Sequence, residues 1–305
     1  MTFVTRQKVK SVGVPAAAGP RYVTAQQLGT SDPPNMPLRL EYRTEKQLPV
    51  DLDGLTPEWV RGRRPAEIER WAARVGNQSV ALAELFVISG DSGDGEMRFT
   101  GDLSHVHSIG ATMTGGIIRV EGSVGRHAGN GMTGGLLEVA GNAGDRVGCE
   151  MHGGRIHVHG HAGDFAGGAL AGARRGMTGG ELFIDGATGS EVGHAMRRGL
   201  IVVGGAAGDS VGLNLIAGTI LVFGPCGLRP GIGMRRGTIG LFTMPVEIPL
   251  TFRPAIRQQP QFMRLLLNYV SRTGVSSAMQ FLDAEFDSFR GDLLALGKGE
   301  ILVKR

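Results

Sequence analysis

Glycines recur through residues 93–240 at a fixed spacing, and that spacing constrains the fold more than any other feature of the chain. Six segments align, beginning at Thr114, Thr133, His152, Thr178, Arg197 and Ile216. Successive starts differ by 19, 19, 26, 19 and 19 residues, so one repeat carries a seven-residue insertion. A looser copy, GDGEMRFTGDLSHVHSIGATM, precedes them, and RRGTIGLF from Arg235 opens another. A period in this range belongs to folds that stack one unit on the next.

The columns of the alignment say what is stacked. Gly116, Gly122, Gly125 and Gly129 recur down to Gly218, Gly224, Gly227 and Gly231. Glycine at fixed corners supplies positive φ and close backbone approach. Between the corners lie Ile118/Val120, Leu137/Val139, Ile156/Val158, Leu182/Ile184, Ile201/Val203 and Ile220/Val222. Alternation with β-branched residues predicts strands with one buried face. Two further apolar columns run Met113, Met132, Met151, Met177, Met196, Leu215, Met234 and Ala128, Val147, Ala166, Val192, Val211. Short strands, glycine corners and three inward columns predict an all-β chain: a right-handed parallel β-helix of about seven coils, its rungs roughly 4.8 Å apart. The hand follows from the general crossover rule.

The flanks predict a small α/β cap before the coils and two helices after them. Residues 1–37, with PAAAGP and DPPNMP, read as an extension. Residues 38–92 read as the cap, with alternating Leu38, Leu40 and Tyr42 and helix starts at Thr56-Pro57-Glu58 and Pro65. The cap's task is to cover the first open strand edge. Residues 241–305 read as an extended segment, then helices. Phe262, Leu265, Leu266, Tyr269 and Val270 form one helical face. Ser277 with Gln280 forms a capping box for a second helix carrying Leu282 and Phe286. Residues 291–302 read as a tail.

Outward positions change character along the stack: Arg119, Glu138, His157, then Phe183, Val202, Leu221, with Phe223 in the next column. Apolar outer columns need a cover, so Phe183, Val202, Leu221 and Phe223 are expected at an interface with the C-terminal helices, a partner protein, or both.

Composition excludes several classes. The net charge of +4 is modest and mixed, and no basic patch interleaved with aromatics points to nucleic acid. No apolar run reaches the length of a membrane span and no leader opens the chain, so a cytoplasmic protein is expected. Two cysteines, Cys149 and Cys226, encode neither a disulfide framework nor a cluster site.

The pattern GG-x-I-x-V-x-G-x-x-G-x-x-x-G resembles the C-terminal β-helix of the glutamate synthase large subunit and the C subunit of formylmethanofuran dehydrogenase. PVDLDGLTPEWVRGRRPAEIERWAARVGNQSVALAELFVISG is similar to the segment before the coils in the latter, so the resemblance spans about residues 48–240. The C-terminal helices and GDLLALGKGEIL look more like the version in methylotrophic bacteria. That resemblance implies a scaffold subunit of a formyltransferase/hydrolase complex in methanofuran- and tetrahydromethanopterin-linked one-carbon metabolism, leading from formaldehyde to formate. It implies three kinds of partner that carry the chemistry: an amidohydrolase-like subunit, a formyltransferase subunit and a B-type subunit. The alternatives are the C subunit of a molybdenum or tungsten dehydrogenase, and an independent carbohydrate-active or binding β-helix.

Candidate sites divide into structural and chemical readings. Glycines in GDSGDGE repeat in every coil and are architectural, not a phosphate loop. His157 and His159 fall on one outer face, a weak metal pair for which no neighbouring carboxylate is evident; surface or interface histidines are the plainer reading, as for His105 and His107. A glycosidic site would need outer carboxylates such as Glu121, Glu138 or Glu181, with Arg119 nearby. No catalytic constellation assembles. The distinctive charges are Arg197-Arg198 and Arg235-Arg236 in one column, with Arg174-Arg175 from the insertion. Arginine there is either a solvated edge or a stripe for an acidic partner, or for the polyglutamate tail of a methanofuran-type cofactor.

Overall fold

A computed structural model describes residues 37–43, 48–244 and 247–305. Apart from Pro37, the extension expected over residues 1–37 lies outside the described residues. Before the repeats come β1 (Leu38–Tyr42), β2 (Val50–Asp51), α1 (Pro57–Val60), α2 (Pro65–Ile68), β3 (Ala72–Val75), β4 (Gln78–Ala81), α3 (Leu82–Leu85) and β5 (Phe86–Ser89). The repeats supply β6 (Glu96–Thr100), β7 (Val106–His107), β8 (Ile117–Val120), β9 (Leu136–Val139), β10 (Arg155–Val158), β11 (Glu181–Ile184), β12 (Leu200–Val203), β13 (Thr219–Val222) and β14 (Arg236–Leu241). After them come β15 (Arg253–Gln258), α4 (Gln261–Thr273), a 3-10 helix (Ser276–Phe281), β16 (Phe286–Gly291) and β17 (Lys298–Lys304).

The fold is mostly β, dominated by one 13-stranded sheet in the order β15-β16-β17-β14-β13-β12-β11-β10-β9-β8-β6-β1-β5. Pairing is parallel from β1 through the repeats to β17, and the register matches the alignment column by column. Ile118 faces Leu137, Ile156 faces Leu182, and Ile201 faces Ile220. A second parallel ladder of single bridges runs Leu103, Val124, Ala143, Ala162, Thr188, Ala207, Cys226. The insertion leaves both ladders intact. It loops out between Gly167 and Met177, and the Met177 amide closes it by donating to the Gly167 carbonyl at 3.0 Å.

All three apolar columns are buried, with Met113, Met132, Met151, Met177 and Met196 fully so. Each such side chain contributes about 1.5–3 kcal/mol of burial. The paired glycines that open a repeat act differently from each other. A Cβ at Gly153 would lie 2.3 Å from the Thr133 carbonyl oxygen, whereas Gly154 sits at φ +79°. Where the first position carries a side chain, as at Arg198 and Ala217, the following glycine opens to φ +115° and +113°. The Gly122 and Gly125 columns serve close approach. A column of non-glycine residues in the left-handed region (His127, Arg146, Phe165, Glu191, Ser210, Arg229) was not anticipated from sequence.

The ends are closed differently. At the N-terminal end β1 inserts between β6 and antiparallel β5, packing Tyr42, Phe86 and Phe99 edge to face. Thr56 caps α1 as expected, accepting from the Trp59 amide at 3.3 Å. Glu58 on α1 accepts from the Thr114 amide at 2.8 Å, tying this segment to the first repeat. At the other end the reading of residues 291–302 as a tail is corrected: most of β17 is buried, and it pairs parallel to β14 as the next rung. The second C-terminal helix is also corrected. Residues 276–281 form a short 3-10 helix, and Phe286 begins β16, because antiparallel pairing with β17 outweighs the local capping signal. On the outer edge, β15 carries Arg253, Pro254 and Arg257, residues that discourage further strand addition.

Helix α4 covers the apolar outer strip. Phe183, Val202 and Leu221 are 0% exposed and Phe223 is 7% exposed, packed with Met263, Leu267 and Val270. These four residues, expected at an interface that a partner could complete, are enclosed by the chain's own C-terminal segment. The helix face also differs from expectation. Met263, Leu267 and Val270 point inward, while Phe262, Leu265 and Tyr269 stay exposed.

Candidate functional site

Repeat stacking places the arginine pairs on one edge. Arg197-Arg198 precede β12, and Arg235-Arg236 occupy the same column two repeats on, in step with the Leu200–Thr219–Thr238 register. The insertion brings Arg174 and Arg175 alongside. Arg174, Arg175, Arg197 and Arg198 line a groove of about 570 Å³ together with Glu150 and His152. Arg174, Arg175, Arg197 and Arg235 line a second, of about 1130 Å³, with Asp292 and Leu294. Arg236 stands at the start of β14, opposite Lys298.

All six arginines are exposed. Among the described residues, none of their guanidinium groups is paired with a carboxylate of the chain. The two acidic residues in the grooves are engaged elsewhere. Glu150 accepts from the Leu170 amide at 3.2 Å, and Asp292 accepts from the Gly233 and Leu294 amides at 2.9 Å. Six unneutralised guanidinium groups along one edge favour an anion carrying several carboxylates or phosphates, which arginine binds in bidentate fashion.

A second cluster lies on the outer face of the sheet. His157 and His159 project side by side from β10 and its end, ring centroids 4.1 Å apart. Asp185, just beyond β11, meets both: Oδ1 is 2.9 Å from His157 Nε2, and Oδ2 is 2.9 Å from His159 Nδ1. Glu138 on β9 approaches the other nitrogen of His159, Oε1 to Nε2, at 3.3 Å. Burial raises the Asp185 pKa, but the hydrogen bonds from the two imidazoles outweigh it and hold the carboxyl below its usual range. No neighbouring carboxylate for these histidines is evident from the sequence, whereas the structure brings two, Asp185 and Glu138, into contact with them. The signal was present in the alignment, since Asp185 follows His159 in the column Glu121, Ala140, His159, Asp185, Gly204, Phe223; the insertion obscured it by setting the two 26 residues apart.

The remaining candidates are held in structural contacts. Arg119 pairs with Glu138 and with Glu96, Arg155 pairs with Glu181 at 2.7 Å, and Glu121 faces Arg39 at 3.7 Å. Those outer carboxylates are thus tied to arginines. His105 Nε2 lies 2.9 Å from the Tyr42 hydroxyl, and His107 Nδ1 accepts from the Arg126 amide at 3.0 Å. Burial, with Arg126 nearby, lowers the His107 pKa. GDSGDGE leads into a strand, with Asp91 and Asp94 capping their own turn. Burial pushes both thiols, Cys149 and Cys226, up to about 12, leaving them protonated at neutral pH. No helix among the described residues is long and apolar enough to cross a membrane.

No family model matches the chain. It is similar to a chain of the formyltransferase/hydrolase complex from Methylorubrum extorquens, solved in complex with methylofuran. The two share 36% identity with a TM-score of 0.81, and the match covers 88% of this chain and 99% of that one. Residues of this chain also match the C subunit of the molybdenum-containing formylmethanofuran dehydrogenase 1 of Methanosarcina barkeri, at 35% identity over 82 residues. The C subunit of the tungsten-containing formylmethanofuran dehydrogenase 2 of Methanothermobacter marburgensis matches at 32% over 93 residues. These matches span 27% and 34% of the curated relatives, about a third of their length. With the solved chain matched nearly end to end, the protein belongs to the family of formylmethanofuran dehydrogenase C subunits.

Proposed function

We propose that this chain is the structural subunit of a formyltransferase/hydrolase complex, a right-handed parallel β-helix of about seven coils on which catalytic partners assemble. The observation that carries this reading is the match over 99% of a chain of the Methylorubrum complex and 88% of this chain. The molybdenum and tungsten dehydrogenase subunits align with this chain over 82 to 93 residues, against 88% of it for the formyltransferase/hydrolase chain, which favours the hydrolytic complex as parent. The chemistry belongs to an amidohydrolase-like subunit and a formyltransferase subunit, with a B-type subunit, in the cytoplasm. Exposed apolar side chains support protein contacts on two faces: Phe262 and Leu265 on α4, and Leu294 with Leu296 beside the larger arginine groove.

The arginine grooves receive the repeated carboxylates of the cofactor's tail. Among the described residues their guanidinium groups have no carboxylate partner, and the related complex was solved with methylofuran. Charge reversal at Arg197 and Arg198 separates the possible anions. With the cofactor tail as ligand, the complex assembles normally and the apparent KM for the furan cofactor rises, most at low salt. With an acidic subunit as ligand, assembly itself weakens. If neither changes, the edge is solvated and binds nothing.

A further inference from the structure

We propose that His157, His159 and Asp185 form a binding site for a divalent transition cation of the zinc, nickel or cobalt kind, with Glu138 orienting one ligand. One ligand atom from each of His157, His159 and Asp185 lies within 4.8 Å of the other two, and His157 Nε2 and His159 Nδ1 each contact the Asp185 carboxylate. Two imidazoles and a carboxylate suit borderline cations and not calcium or magnesium, which prefer oxygen. In a tetrahedral zinc site ligand atoms stand about 3.4 Å apart, so the 2.9 Å contacts here need to open by only about half an ångström.

The proton inventory of His159 gives the proposal its second support. Both ring nitrogens face carboxylate oxygens, Nδ1 toward Asp185 and Nε2 toward Glu138. A neutral imidazole carries one N–H and cannot donate to both. A cation between Nδ1 and Asp185 resolves the conflict, because the single proton then sits on Nε2 and is donated to Glu138. A carboxylate behind a metal-bound imidazole usually fixes that ligand's tautomer and orientation in this way. The site is also built into its surroundings. The His157 ring lies 5.9 Å from the Phe183 ring, and its side chain is 12% exposed. It packs beneath Gly274 at the end of α4, where a Cβ would come within 2.8 Å of His157 Cε1. His159 and Asp185 are more open, leaving the remaining coordination position to water or a partner's side chain. A cation here would clamp β10, the end of β11 and the close of α4 where the polar outer face gives way to the helix-covered one.

The full-length chain, stripped with chelator, is titrated calorimetrically with Zn2+, and Co2+ serves as the spectroscopic probe. One equivalent per chain is expected, with the visible bands of a low-coordinate cobalt site and a rise in Tm. His159→Gln and Asp185→Asn should each abolish stoichiometric binding. Glu138→Gln, which leaves the ligand atoms in place, should weaken it about 10–100-fold. His152→Gln should bind as wild type does. Melting in chelator reports whether each variant is folded. If wild type shows no stoichiometric binding, or if the His159→Gln, Asp185→Asn double variant still binds, the proposal is overturned; an imidazolium holding both carboxylates is then the better account.

Discussion

At the residue scale the repeat dictates identity wherever backbone meets backbone or core. Met151 is 0% exposed in a column of methionines. Met151→Lys leaves a charge without a partner inside the stack and should cost about 3–5 kcal/mol, read as a drop in unfolding free energy by denaturant titration. Gly154 combines positive φ with a Cβ site 2.7 Å from Met132 Cε. Gly154→Ala should therefore destabilise by about 1–3 kcal/mol, while Gly62→Ala, at positive φ with no atom within 4 Å, should lose less. Glu58 gives a pH signature. Burial raises its pKa, but hydrogen bonds from its own backbone, Thr56 and Thr114 outweigh that and lower it below the ordinary 4.5. A depressed folded pKa stabilises above the unfolded value and ceases to do so as pH falls through the folded value. Glu58→Gln should accordingly lower stability at pH 7, by less than about 1 kcal/mol because the carboxylate is exposed and screened, and the difference from wild type should shrink as pH falls from 4.5 through the lower folded pKa. The inward columns were legible because burial in a stack forces the same residue type every 19 positions. The left-handed residues at Arg146 or Ser210 were not, because their side chains carry no common signature of positive φ.

At the element scale the strands were legible and their closures were not. Alternation marks β8 through β13 directly, whereas β17 reads KGEILVK and is buried along most of its length, so no alternation announces it. Helix α4 shows the limit of periodicity. QFMRLLLNYV carries apolar residues on two stripes, and only docking on Phe183, Val202 and Leu221 selects Met263, Leu267 and Val270 as the inner one. Val202→Asp places a carboxylate under α4 and should cost about 3–5 kcal/mol locally. Limited proteolysis should then cut α4 early while β8 and β9 remain protected; a helix still resistant in that variant would mean the strip does not hold it. The histidine–aspartate cluster was half legible. Period two put His157 and His159 on one face, but finding Asp185 required carrying the column across the insertion.

At the scale of the whole molecule, one short repeat propagated along a parallel sheet builds a long, stiff surface from little sequence information. Such a fold leaves its ends and outer faces free to specialise. The N-terminal segment continues the sheet at one end, β15–β17 continue it at the other, and the insertion alone departs from the period to bring Arg174 and Arg175 beside the other pairs. The arginine edge and the exposed apolar residues of α4 are the parts the stack does not require. They are therefore where partners and cofactor are expected to meet it. The central claim, a scaffold that carries no chemistry of its own, is tested most directly by native mass spectrometry of the assembly purified through a tag on this chain, with formyl hydrolysis assayed on the assembly and on the isolated chain. The account predicts a stoichiometric complex containing an amidohydrolase-like subunit and a formyltransferase subunit, active as a complex, and no turnover by the isolated chain. A chain that purifies without such partners, or that turns over a formylated substrate alone, would contradict it.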